Sequence, residues 1–261
     1  MTIYPILQLW KRICDFGTMS LEYNFKFSNS VLFAPLIAIL CIWVVFWVEI
    51  KFGVNLNKYG IQPRKLIGLR GVFFSPFIHG SVSHLYNNTI PLATLTAALF
   101  YFYRVDALKV LLIGLLLSGV ATWFIGRPSY HIGASGLIYV LVSFIFFKGI
   151  LARHYRLVAL SLAIVFLYGS MIWYIFPIKE GISWEGHLSG FIVGLLLAFI
   201  FKTKLKRDKK YSWEREDYNE DDDEFLKHFD ENGNFIERVE EPNEILKINY
   251  FFKENKKDEP N

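Results

Sequence analysis

An all-α membrane protein, a bundle of six spans with a polar C-terminal tail, is predicted by three observations. Hydrophobic residues make up 53% of the 261 positions, 25 of them phenylalanine, and mean hydropathy is +0.32, too apolar for an ordinary water-soluble domain. The apolar residues gather into six runs between residues 31 and 201. Charge is partitioned as well: residues 211–261 hold 17 acids and 7 Lys/Arg, net −10, against 7 acids and 21 Lys/Arg, net +14, in residues 1–210. A basic apolar body with an acidic tail fits contact with lipid headgroups better than binding of nucleic acid.

Residues 1–30 carry Asp15, Glu22 and Lys26 and lack a compact apolar core followed by small residues. They are expected to be a cytoplasmic or interfacial segment rather than a cleavable signal. The six runs are Val31–Ile50, Leu85–Tyr103, Ala107–Ile125, Ala134–Leu151, Leu157–Phe176 and Ile182–Phe201. Most approach the roughly 20 residues that cross about 30 Å of hydrocarbon at about 1.5 Å per residue. Between the first two, residues 51–83 hold Lys51, Lys58, Arg64, Lys65 and Arg70 among glycines and prolines, which suggests a folded element lying in the interface. Cys14 precedes the first run and Cys41 lies within it, so a structural disulfide and a Cys-rich metal site are not expected.

Orientation follows from Lys and Arg in the short connections. Arg104 and Lys109, then Lys148, Arg153 and Arg156, then the cluster Lys202–Lys210 all fall on one side. That side is expected to be cytoplasmic and to hold both termini, with the cationic 51–83 connection running against the rule. The expected divisions are 1–30, a membrane domain over 31–202, and a basic-then-acidic cytoplasmic tail over 203–261. Weak structure is expected in the tail, although Ile245–Phe252 could form a helix or strand. The expected location is a multi-pass position in the cell (inner) membrane.

In this topology spans two, four and six run in the same direction, and each carries polar residues near its outer end. His84 and Asn88 stand at the start of span two, Ser135 opens span four, and His187 lies five residues into span six. The apolar part of span four runs only from Ala134 to Phe147 before Lys148 and reaches roughly 21 Å. With Lys148 at the inner surface, Gly126–Gly133 would be irregular backbone at membrane depth, which is tolerated only when buried in protein or lining a water-filled cavity. A hydrated pocket with Ser135 on its floor follows.

A serine hydroxyl needs a base, and neutral histidine is the usual one. At a helix N-terminus the backbone N–H of Ser135 also favours developing negative charge. His84 and Asn88, spaced i and i+4, share a helix face, and both can donate to an oxyanion. Tyr139 shares the face of Ser135 and could support the ring of His187. Glu185 lies about 200° around an ideal helix from His187, which leaves a serine–histidine dyad. Gly186, Gly190 and Gly194 recur every fourth residue beside His187, and Gly133 and Gly136 flank Ser135. Such small residues let helices approach closely in lipid.

These residues resemble the rhomboid family of intramembrane serine proteases. The match is carried by Gly133-Ala134-Ser135-Gly136 with Tyr139, His84-x-x-x-Asn88 preceded by His79, and His187-x-x-Gly190-x-x-x-Gly194. The resemblance implies a six-helix bundle over about residues 31–201, with Ser135 as nucleophile, His187 as general base, and His84 and Asn88 as oxyanion donors. It implies cleavage of single-span transmembrane proteins near the outer membrane face, with no cofactor and no metal. The family's Trp-Arg pair reads Leu69-Arg70 here, where Arg70 can bind lipid phosphate or order the loop. Rival readings are an inactive rhomboid-like protein that binds membrane helices, and a transporter or haem protein using the same polar cavity. His79 and His131 are expected to brace loops.

Overall fold

The computed structural model describes residues 27–201, 211, 213, 217–223 and 225–236. The chain divides into two units, residues 1–206 and 207–261. The described part of the first unit is helical. Helix α1 spans Asn29–Phe52 and stops where Gly53 takes φ 62°, its N–H returning to the last-turn carbonyls, the left-handed ending that glycine adopts without strain. The connection that follows is folded, as its composition suggested. It holds 3-10 turns at Asn57–Tyr59, Leu66–Arg70 and Ser75–Phe77 around a four-residue helix, α2 (Gly71–Phe74). Arg70 orders it by donating to the Lys58 carbonyl at 2.9 Å and lying 4.5 Å over the Tyr59 ring.

Helix α3 spans Val82–Phe102 and starts at Ser81, whose side chain accepts the His84 N–H, the usual serine N-cap. Helices α4 (Arg104–Ile125), α5 (Ser135–Ala152), α6 (Tyr155–Tyr168) and α7 (Trp184–Ile200) complete the set. Among the described residues, four helical stretches are long and apolar enough to cross a membrane: α1, α4, α5, and α6 with the 3-10 segment that continues it to Ile175. The chain is a multi-pass integral membrane protein. Of the other two expected spans, α3 carries Ser83, His84, Asn87, Asn88 and Thr89 in its first turns, and α7 has 17 residues.

The expected fifth span differs in one respect. After Tyr168 the backbone tightens into a 3-10 helix over Gly169–Ile175, which turns main-chain carbonyls toward the site described below.

Helix α5 is central and packs on α3, α4, α6 and α7. Its Ile138, Leu141, Phe144 and Ile145 are fully buried with Leu95 and Leu99 of α3 and Leu197 of α7. The closest approach is between α5 and α7. A methyl group added at Gly190 would run into the Gly136 carbonyl and lie 2.9 Å from Tyr139 Cβ, and one at Gly194 would lie 2.8 Å from Ser143 Cβ. These two glycines let the helix backbones touch, the small-residue packing that replaces the hydrophobic effect inside lipid. Side chains then bond across the seam: Ser143 to the Phe191 carbonyl at 2.7 Å, and Lys148 to the Ala198 carbonyl at 3.1 Å.

That last bond adds to the expectation for Lys148. The lysine is buried at 5% exposure and bonded within the bundle. Helix α5 runs on to Ala152, so its 18 residues cover about 27 Å, and the shortness of its apolar run does not fix its depth. The irregular backbone ahead of Ser135 is present all the same, over residues 126–134.

In the second unit, the described residues hold 3-10 turns at Glu220–Asp222 and Leu226–His228 and a single bridge between Phe229 and Phe235. The cluster Lys202–Lys210 and the stretch Ile245–Phe252 lie outside the described residues, as do residues 1–26.

Candidate active site

Ser135 is the first residue of α5, and the loop before it is held from two directions. Ile61 and His131 pair through two backbone bonds of 2.9 Å, and the Gly133 N–H donates to the Ser75 carbonyl at 2.8 Å. Gly133 takes φ 103°, and a Cβ there would stand 2.6 Å from His84 Nε2. Glycine is required twice over, for its backbone conformation and for the space.

His187 stands in the first turns of α7, buried at 8% exposure. Its Nε2 lies 3.0 Å from Ser135 Oγ and its Nδ1 lies 2.9 Å from the Tyr174 carbonyl. A carbonyl only accepts, so Nδ1 carries the proton and Nε2 presents its lone pair to the serine hydroxyl. The Tyr139 ring stacks on the imidazole, with centroids 4.3 Å apart and planes 15° apart, while its hydroxyl donates to the Met171 carbonyl at 2.6 Å. Met171 and Tyr174 are one 3-10 turn apart. The tightened end of the α6 segment therefore orients both the imidazole and the ring that supports it. In a hydrolase triad a carboxylate would stand where the Tyr174 carbonyl does.

His84 and Asn88 point from α3 toward the Gly133 backbone: a Cβ at Gly133 would lie 3.4 Å from Asn88 Nδ2. Asn88 is buried at 4% exposure, and its Nδ2 has no hydrogen-bond partner among the described residues. A buried donor left unpaired costs about 1–3 kcal/mol, and such an orphan calls for a functional account. His79 packs its ring 5.0 Å from that of His84 and donates through Nδ1 to the Phe77 carbonyl, 3.3 Å away. Burial and then the neighbouring His84 ring lower its pKa to about 4, opposed by the Phe77 carbonyl, so it braces α3 as a neutral ring. A Cβ added at Gly136 would lie 3.5 Å from the Gly186 carbonyl, an ordinary van der Waals contact.

Beside Ser135 lies a partly open cavity of about 40 Å³, lined in part by Ser75, Ser118, Thr122, His131 and Ser183. At about 10–15 Å³ of such volume per molecule, it has room for about three waters among hydroxyl groups that can hold them. Among the described residues, no group of three or more His, Cys, Asp or Glu is arranged to hold a metal ion.

The structure thus brings Ser135, His187, Tyr139, Gly133, Gly136, His84 and Asn88 into one region, with Gly190 against Gly136 and Tyr139 and Gly194 farther along the same helix seam. It adds the Tyr174 carbonyl, which a sequence does not reveal because every residue carries one. It also gives Glu185 a buried position against Arg127, although Glu185 faces away from His187.

The family profile of the Rhomboid domain matches residues 68–204. Uncharacterized proteins of Mycobacterium bovis and Mycobacterium tuberculosis are each 34% identical to the chain over 173 residues, covering 61% of it and 70% of their own length. One from Mycobacterium leprae is 32% identical over 169 residues, covering 59% of this chain and 65% of its own length.

Proposed function

Because the chain belongs to the rhomboid family, we propose that it is an intramembrane serine endopeptidase working through Ser135 and His187. The observation that carries this reading is the 3.0 Å approach of Ser135 Oγ to His187 Nε2, with the other ring nitrogen already committed to Tyr174. His187 takes the hydroxyl proton as Ser135 attacks the scissile carbonyl. The oxyanion then meets the Ser135 N–H at the helix start and the unpaired Asn88 Nδ2, with His84 beside it. His187 returns the proton to the leaving amine, and the acyl-enzyme forms. Water from the hydroxyl-lined cavity, deprotonated by the same imidazole, releases the acid and restores the serine.

The substrates are single-span transmembrane proteins whose helices can unwind locally, since a hydrogen-bonded helix hides its peptide bonds. Six spans, the four long helices with α3 and α7, carry the site toward the outer face of the cell membrane and leave both termini cytoplasmic. Residues 31–202 act as the catalytic body, in contact with lipid, and residues 203–261 as its tail. The chemistry proposed needs no cofactor.

The test is covalent. A fluorophosphonate should label the purified protein, and mass spectrometry should find the adduct on Ser135; an intact protein that resists the probe and leaves single-span substrates uncut would be an inactive helix-binding relative. The oxyanion assignment has its own outcome. Removing one such donor costs about a hundred- to a thousandfold in kcat, so Asn88→Ala should keep probe labelling while losing about ten- to a thousandfold in cleavage. Cleavage at the parent rate would exclude Asn88 from the oxyanion site.

A further inference from the structure

Four polar links join the loop that leads into Ser135 to the turn that leads into His187. Glu185, the second residue of α7, is 1% exposed. Its Oε1 accepts the backbone N–H of Arg127 at 3.2 Å and lies 3.7 Å from the Arg127 guanidinium. The same guanidinium donates to the Ile182 carbonyl at 2.6 Å. His131, 4% exposed, bonds Ser183 Oγ through Nδ1 and the Arg127 carbonyl through Nε2 at 3.1 Å. Ser183 in turn caps α7 by accepting the Gly186 N–H. Ser135 lies eight residues after Arg127 and His187 two after Glu185.

None of these side chains touches Ser135 or His187 by hydrogen bond. Helices α5 and α7 are already seamed farther along at Gly190 and Gly194, so the links are not needed to bring the helices together. They act where the two reacting side chains meet. An ion pair whose arginine is 43% exposed is a weak source of stability, because solvent screens the attraction, and its best use is to fix geometry. Glu185 suits its place for a second reason, since a carboxylate in the first turn of a helix is favoured by the helix dipole.

We propose that Arg127, Glu185, His131 and Ser183 form a clasp that sets the Ser135–His187 separation, each acting as a positioning residue for the dyad. This rests on the proposed serine mechanism, and it concerns chemistry and not substrate capture. Misplacement of reacting groups by about 1 Å can cost about a hundredfold. Arg127→Ala and Glu185→Gln should each lower kcat per folded molecule by about ten- to a hundredfold with KM unchanged, and the double variant should be no worse than the poorer single.

The deciding measurement needs no activity. With ¹⁵N-histidine in the full-length protein, the His187 Nε2 resonance reports its bond to Ser135 and is assigned by its change in Ser135→Ala. In both clasp variants it should move toward the Ser135→Ala position. Arg127→Lys, which keeps the charge and loses the fork to Ile182, should fall between parent and Arg127→Ala, and it carries the test should Arg127→Ala not fold. Folded variants with parental kcat, a loss confined to KM, or an unmoved His187 resonance would each overturn the clasp. If the parent itself neither labels nor cuts, the serine mechanism fails, and the resonance still decides whether the clasp holds the two side chains together.

Discussion

Ser135→Ala should abolish fluorophosphonate labelling and lower cleavage of a single-span substrate by up to about a millionfold, the scale seen when a serine hydrolase loses its nucleophile. The reason is local. Ser135 Oγ bonds His187 alone among the described residues, and no other hydroxyl is placed against that ring. The serine's backbone opens α5 whatever its side chain, with the helix start held by the Gly133–Ser75 bond and the packing behind it by Ile138 and Leu141. Losing the hydroxyl removes one hydrogen bond worth about 0.5–1.5 kcal/mol net, so the variant should remain helical and melt close to the parent. Cleavage by Ser135→Ala at a rate near the parent's would leave the nucleophile elsewhere, with Ser75, Ser118 and Ser183 the other serines on the cavity wall.

Much of this site is legible in the sequence because its parts obey local rules. Gly126–Gly133 reads as irregular backbone, so Ser135 reads as a helix start, and α5 begins there. The i, i+4 spacing of His84 and Asn88 gives a shared face before any tertiary contact is known. The glycines of α7 announce a close helix contact, and the contact falls on α5 at Gly136 and Tyr139. What stays hidden depends on distant partners. Lys148 reads only as a surface anchor, and its bond to the Ala198 carbonyl, fifty residues on, stays out of sight. The break of the α6 segment at Gly169 is masked by an apolar run that continues through Ile175. Glu185 is passed over when judged only against His187, since its partner Arg127 is 58 residues away. Its place just after a serine at a helix start was the available signal.

Those hidden features converge on one side chain. His187 has its Nδ1 held by a carbonyl of the 3-10 segment, its face covered by Tyr139, and its helix start tied to the loop before Ser135. A dyad without a carboxylate depends on such placement, since a neutral carbonyl fixes the tautomer but adds no negative charge to stabilise the imidazolium.

His187→Ala should therefore be as inactive as Ser135→Ala, and the double variant no worse than either. Nucleophile and base act as a unit, so once one is gone the other has nothing left to contribute. The imidazole leaves a gap bounded by Tyr139 and the Tyr174 carbonyl, within reach of Ser135, and the hydroxyl there keeps no base. Residual cleavage in all three variants should be equal and set by the oxyanion donors alone, at about 10³–10⁴ over the uncatalysed rate. The comparison needs the variants at equal folded concentration, because Tyr139 loses its stacking partner and the melting temperature of His187→Ala should drop. Should the two losses multiply in the double variant, serine and histidine would be acting independently, and the 3.0 Å contact would be structural, not catalytic.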